Sequence, residues 1–220
     1  MLKTKESLYE KSSFKRLSEF GKLAPEAFKA FVKFDQAALE ENELSAKLKE
    51  LIAVAVAHTT GCAYCIEAHV TGAKSLNMSK EEMAEAIMVA TALKAGSALA
   101  HGVNALNAFD GDGGEELYKE QYFSRLMEFS SLTGDSFKSF IDFDKQAMSE
   151  GLLTVKEKEL IAIAVAHTTG CAYCINLHVK AAKKIGVTKE EVAESIMVAT
   201  ALKAGSALAH GVNALNAYDN

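Results

Sequence analysis

The chain is predicted to be an all-α protein built as two tandem helical domains related by pseudo-symmetry, with about five to six helices in each. Three observations predict this. A single Pro, no Trp and an abundance of Ala, Leu, Lys and Glu in 220 residues favour helix, because these side chains lose little rotamer freedom there. Apolar residues recur at helical steps, as in Phe14, Leu17 and Phe20 and then Phe28, Phe31 and Phe34. One offset of 109 positions relates Cys62 to Cys171, Cys65 to Cys174, His58 to His167, His69 to His178 and His101 to His210.

The same offset aligns LYEKSSFKRLSEF with LYKEQYFSRLMEF, and IMVATALKAGSALAHGVNALNAFD with IMVATALKAGSALAHGVNALNAYD, without a gap. A repeat this long is a whole small domain, since solenoid units run to about 20–50 residues. The Gly- and Asp-rich segment GDGGEE after Asp110 is turn chemistry between helical patterns, so residues 1–110 form the first copy and 111–220 the second. Pro25 suits a helix first turn, and Ser79 with Glu82 and Thr188 with Glu191 have capping-box spacing. Gly96 and Gly205 are expected to punctuate the chain before a last helix, and the phenylalanine stripe to pack a helix–helix core.

A hydrophobic fraction of 49% is ample for a core, and a net charge of −5 with interspersed signs offers no basic footprint for nucleic acid or an anionic membrane. The first residues lack an uninterrupted apolar stretch and a small-residue cleavage site, and no apolar run approaches the roughly 20 residues of a membrane span, which places the protein in the cytoplasm. All four cysteines fall in two CxxC pairs, and in a reducing compartment such pairs read as redox or metal sites before structural disulfides.

The pairs sit in KELIAVAVAHTTGCAYCIEAHV and KELIAIAVAHTTGCAYCINLHV, each with the pattern Glu-x11-Cys-x2-Cys-x3-His. Thr59-Thr60-Gly61 offers a helix stop and a new start, which places Cys62 in the first turn of the next helix. Free N–H groups and the positive dipole end there lower a thiol from a pKa of about 8.5 toward or below 7. Cys65 and His69 follow at i+3 and i+7 on the same helix side, and the spacing of the sulfurs permits dithiol–disulfide cycling. Glu50 and Glu159 reach this helix only if the chain reverses at Gly61 or another repeat contributes. In that case the carboxylate orients the imidazole as a proton relay, and otherwise it is a solvated charge. His58, Cys62, Cys65 and His69 also make a four-donor set, so zinc is the rival to redox chemistry, although structural zinc sites usually join two separated ligand pairs. Tyr64 and Tyr173 read as packing residues, and His101 and His210 as satisfied core or interface histidines.

The ordered set Glu50, Cys62, Cys65 and His69, with the later SKEEMAEAIMVA, resembles the carboxymuconolactone decarboxylase-like superfamily and, more narrowly, its AhpD-like alkylhydroperoxidase branch. The resemblance covers approximately Leu44–Leu106 and Leu153–Leu215. It implies AhpD-like helical domains and an antioxidant thiol peroxidase in which Cys65 and Cys174 attack the peroxide. Cys62 and Cys171 then resolve the sulfenic acid, and Glu50/His69 and Glu159/His178 relay the proton. It further implies no cofactor or metal, a dihydrolipoyl-type dithiol as reductant, possible service to a peroxiredoxin, and a homo-oligomer, a trimer that mimics a hexamer. Tyr64 and Tyr173 stand where AhpD has a histidine. A decarboxylase-type lyase, like the superfamily members that lack paired cysteines, and a zinc-binding or redox-sensing module without turnover are the alternatives.

Overall fold

The computed structural model describes residues 7–112 and 114–219, and no strand occurs among them. The first copy supplies a 3-10 segment (Lys11–Glu19) and α1 (Phe20–Leu23), α2 (Pro25–Leu39), α3 (Ala46–Thr60), α4 (Ala63–Ser75) and α5 (Lys80–Asp110). The second supplies a 3-10 segment (Glu120–Met127) and α6 (Glu128–Thr133), α7 (Asp135–Met148), α8 (Val155–Thr169), α9 (Ala172–Lys184) and α10 (Lys189–Tyr218). Local chemistry sets the boundaries. Pro25 opens α2, where its missing N–H costs nothing. Both capping boxes form, Ser79 with Glu82 and Thr188 with Glu191, and Thr154 with Glu157 makes a third at the start of α8.

The copies share one core. The helices α3, α5, α8 and α10 pack on one another across the copy boundary, burying Leu51, Ile52, Val89, Leu160, Ile163 and Leu202 almost completely. Full burial of each such side chain contributes about 1.5–3 kcal/mol. The outer helices are crossed. The first copy's 3-10 segment and α2 lie on α10, while the second copy's 3-10 segment and α7 lie on α5. Polar staples repeat the exchange. Lys49 of α3 pairs with Glu194 of α10, and Lys158 of α8 with Glu85 of α5, each at 2.9 Å. Arg16 meets Asn216 and Asp219, as Arg125 meets Asn107 and Asp110.

Gly96 and Gly205 do not break the chain, contrary to the sequence expectation. They lie inside α5 and α10, where backbone bonds run through them and Phe140 and Phe31 of the opposite copy pack 3.5 Å from where a Cβ would stand. The phenylalanine stripe is helix packing, with Phe20 and Phe31 against the other copy and Phe14 and Phe28 against their own. At Gly102 and Gly211 the approach is closer still, 2.7 and 2.6 Å to Phe129 and Phe20, so any side chain there displaces an aromatic ring. Helices α5 and α10 each contain a window of mean hydropathy 1.3, long and apolar enough by composition to cross a membrane. In this fold Val89, Leu93, Val198 and Leu202 of these helices are buried in the shared core, whereas Met88 and Met197 are exposed.

Candidate redox site

Gly61 ends α3 in the left-handed conformation, φ +71°, and its counterpart Gly170 ends α8 at the same angle. Glycine holds this backbone without a Cβ penalty, and the turn folds α4 back along α3. The residue after each glycine is the N-cap itself, one position earlier than the first-turn placement expected. Cys62 Sγ accepts the N–H of Cys65 at 3.2 Å, and Cys171 Sγ that of Cys174 at 3.1 Å. A sulfur caps the helix where Ser or Asp ordinarily would, so a backbone donor already faces the atom that becomes a thiolate on reduction. Cys62 and Cys65 are joined as a disulfide with Cα atoms 5.2 Å apart, as are Cys171 and Cys174. The first cysteine of each pair is fully buried, and the second is nearly so.

The same reversal brings the distant glutamates home. Glu50 Oε2 lies 2.9 Å from His69 Nδ1, and Glu159 Oε2 lies 2.9 Å from His178 Nδ1. An ionised carboxylate only accepts, so Nδ1 carries the proton in each pair and Nε2 is the basic nitrogen. Both pairs are largely shielded from solvent. Gly72 makes room for the first, since a Cβ there would stand 2.9 Å from Glu50 Oε1, whereas Ala181 holds the matching position of the second copy.

Each Glu–His pair has a neighbour that sequence reasoning missed. Burial pushes the carboxyls of Asp35 and Asp144 above the usual range, with the charge of His69 or His178 opposing the effect and that of Glu50 or Glu159 reinforcing it. Each acid is therefore within electrostatic reach of its Glu–His pair. The signal was present in the sequence: Asp35 and Asp144 stand four residues after Phe31 and Phe140, on the face of the apolar stripe.

His58 and His167 turn Nδ1 to the carbonyls of Val54 and Ile163, at 2.7 and 2.8 Å. Among the described residues no three His, Cys, Asp or Glu side chains gather in a set that could hold a metal. In each copy the two cysteines of the zinc reading are joined as a disulfide, and both histidines turn Nδ1 to a backbone carbonyl or a carboxylate.

Each disulfide is roofed by the opposite copy. Cys62, Cys65 and Tyr64 form one buried cluster with Ala209 and Val212 of α10, closed by Phe14 and Leu17. Cys171, Cys174 and Tyr173 do the same with Ala100 and Val103 of α5, closed by Tyr122, Phe123 and Leu126. Tyr64 stacks on Phe14 at 5.1 Å, and burial pushes its hydroxyl upward, as it does that of Tyr173, so both stay protonated. Tyr9 lies between Tyr64 and His210, at 5.5 and 6.3 Å. The expectation of satisfied histidines fails: Nε2 of His101 and of His210 is buried with no partner among the described residues. A groove of about 420 Å³ runs along the outer side of Tyr64 between Tyr9, Phe14, Ala68 and Thr71, and one of about 260 Å³ runs along Tyr173.

Comparison with known proteins matches the model of the carboxymuconolactone decarboxylase family at residues 25–108 and again at 134–217. Uncharacterized protein 4 in the cox locus of Paracoccus denitrificans is 43% identical over 81 residues, covering 37% of this chain and 73% of the relative. An uncharacterized protein of Haemophilus influenzae is 43% identical over 95 residues, covering 43% of this chain and 84% of its own length. A crystal structure from Burkholderia xenovorans, of a chain assigned as a gamma-carboxymuconolactone decarboxylase subunit, shares the fold over 94% of both chains with a TM-score of 0.69 at 21% identity.

Proposed function

Since the chain belongs to the carboxymuconolactone decarboxylase family, with both copies matching it, we propose that it is a thiol peroxidase of the alkylhydroperoxidase kind with two dithiol centres. One observation carries the reading: at each centre two sulfurs lie within bonding distance at a helix start, with a carboxylate-bound imidazole on the same helix. In the reduced protein His69 Nε2 takes the proton of the Cys65 thiol, assisted by Glu50 at Nδ1. The thiolate attacks the distal oxygen of the hydroperoxide, and an S–O bond forms as the O–O bond breaks. Sulfur gives up two electrons, and the alkoxide leaves as an alcohol with the proton taken from the thiol. Cys62 then attacks the sulfenic acid, releasing water and forming the disulfide. Cys174, His178, Glu159 and Cys171 repeat these roles.

A dihydrolipoyl-type dithiol restores the pair by exchange and is itself oxidised to a disulfide; a peroxiredoxin is a second acceptor of the same electrons. We place this cycle in the cytoplasm, with three chains assembling as a pseudo-hexamer and neither nucleic acid nor membrane as partner. The test is a thiol count before and after stoichiometric peroxide. Two thiols are lost per centre, and the Cys65→Ser/Cys174→Ser chain loses none to peroxide and turns over no substrate. Full activity in that variant refutes the nucleophile assignment. The Glu–His pairs need no sulfur for lyase chemistry of the muconolactone kind, and activity that survives removal of all four cysteines identifies that second reading.

A further inference from the structure

A buried polar atom without a partner costs about 1–3 kcal/mol, so each one in a native fold calls for a reason. Among the described residues the chain holds six: Tyr64 Oη, His210 Nε2 and Asn213 Oδ1, and their counterparts Tyr173 Oη, His101 Nε2 and Asn104 Oδ1. They form two sets of three related by the repeat, and each set draws on both copies. His210 and Asn213 lie one turn apart on α10, the helix whose Ala209 and Val212 pack into the Cys62–Cys65 cluster, and one ring, Tyr9, lies against both Tyr64 and His210. Tyr118 joins Tyr173 and His101 in the same way, at 5.5 and 6.3 Å. The Glu–His relay uses none of these atoms.

We propose that each redox centre is completed by the opposite copy: His210 and Asn213, with the Tyr64 hydroxyl, make the polar wall that holds the peroxide oxygens at Cys65, and His101, Asn104 and Tyr173 make the one at Cys174. This rests on the peroxidase reading above. The chemistry of the three atoms matches that of a hydroperoxide, which offers one O–H donor and two acceptor oxygens. Asn213 Oδ1 accepts from the O–H. The Tyr64 hydroxyl, protonated throughout the neutral range, donates to the oxygen that leaves, and His210 Nε2–H adds a second donor. As the O–O bond breaks, the leaving oxygen acquires negative charge until the relay proton reaches it. Donors aimed there bind the transition state more strongly than the ground state, which raises the rate instead of merely tightening binding. Tyr64 lines the groove and also belongs to the sulfur cluster, so one side chain borders both.

The crossed assignment has a crossed test. In a chain carrying Cys171→Ser/Cys174→Ser only the first centre works, and in one carrying Cys62→Ser/Cys65→Ser only the second. His210→Phe, which keeps a ring and removes the donor, slows the reaction of reduced protein with hydroperoxide about 10- to 100-fold in the first background, at least about tenfold more than in the second, and His101→Phe gives the reverse. Asn213→Leu, close in volume, follows His210→Phe. The pH profile of Cys65 alkylation by iodoacetamide keeps its midpoint, because the wall acts on the leaving oxygen and not on the thiol; a merely structural lesion moves both. Equal slowing in the two backgrounds, or a displaced alkylation midpoint, overturns the proposal. If the Cys171→Ser/Cys174→Ser parent fails to react with hydroperoxide at all, the peroxidase reading has fallen and takes this proposal with it.

Discussion

Replacing Glu194 by Gln tests whether the two copies are one thermodynamic unit. Glu194 reaches from α10 to the loop before α3, where it accepts from Asn42 Nδ2 at 2.6 Å and from the N–H groups of Glu43 and Leu44 at 3.1 and 3.0 Å. Lys49 Nζ lies 2.9 Å away, almost fully buried, and also donates to the Glu40 carbonyl. Burial works against the charge, yet Lys49, the two backbone donors and Asn42 outweigh it and hold the carboxyl at about 2, down from 4.5. At about 1.4 kcal/mol per pH unit this gap corresponds to about 3 kcal/mol. The range of about 3–5 kcal/mol for breaking a buried pair agrees with it. For a chain of this size that lowers the Tm by about 6–12 °C, followed by circular dichroism at pH 7. The contribution is complete above pH 4.5 and disappears as acid protonates the native carboxylate near 2, so variant and parent converge at the acid end. Adding Lys49→Met to Glu194→Gln restores part of the loss by removing the stranded ammonium. In the mirrored staple Glu85 accepts, among the described residues, from Leu152, Leu153 and Lys158 but from no side-chain amide, because Gly151 stands where the first copy has Asn42. Glu85→Gln therefore costs less. A fall in Tm under about 2 °C for Glu194→Gln, or equal losses for both glutamates, refutes the reasoning.

Two further perturbations address the relay. Glu50→Gln with Glu159→Gln leaves each imidazole without its orienting charge, and the peroxide rate of the reduced protein falls about 100-fold in stopped-flow measurements; a rate within a factor of about two of the parent removes the relay from the mechanism. Asp35→Asn and Asp144→Asn act in the opposite sense on stability. Their carboxyls titrate above the usual 3.8, so ionising them costs more in the folded than in the unfolded chain. The amides accordingly raise the Tm at pH 7, and the gain fades as pH falls through the native value toward 3.8. A gain that persists in acid, or a loss at pH 7, contradicts the assignment.

What the sequence made legible was the local chemistry. The caps at Ser79 and Thr188, the start at Pro25, the stop at Gly61 and the repeat itself all stand where residue types require them. The identity of the packing partner was not legible. An apolar stripe such as Phe28, Phe31 and Phe34 specifies that a face is buried, and nothing in its period says that α10 of the other copy buries it. Gly96 and Gly205 misled for the same reason, because a glycine that admits a ring from a distant helix has the same letter as one that ends a helix. At the site, contact between Glu50 and His69 turned on whether Gly61 reversed the chain, and the backbone answered that. The surroundings of His101 and His210 were not legible either, because the rings beside them, Tyr118 and Tyr9, belong to the opposite copy.

The crossing makes each centre depend on both copies. A cysteine pair on α4 needs a roof, and that roof is α10, which belongs to the copy carrying the other pair. Neither centre keeps its surroundings if either half is lost. The atoms assigned to chemistry, two sulfurs, an imidazole and a carboxylate, recur at matching distances. Divergence lies at the rims. Lys11 pairs with Glu67 beside the first groove, whereas Glu120 pairs with Lys180 beside the second, so the cation has moved from the leading arm to the redox helix. Exposed pairs of this kind contribute little to stability, but they set the field a charged partner meets on approach. On the proposed peroxidase reading, a shared reaction core with opposed rims lets one chain run the same sulfur chemistry twice while presenting two differently charged faces to a reductant.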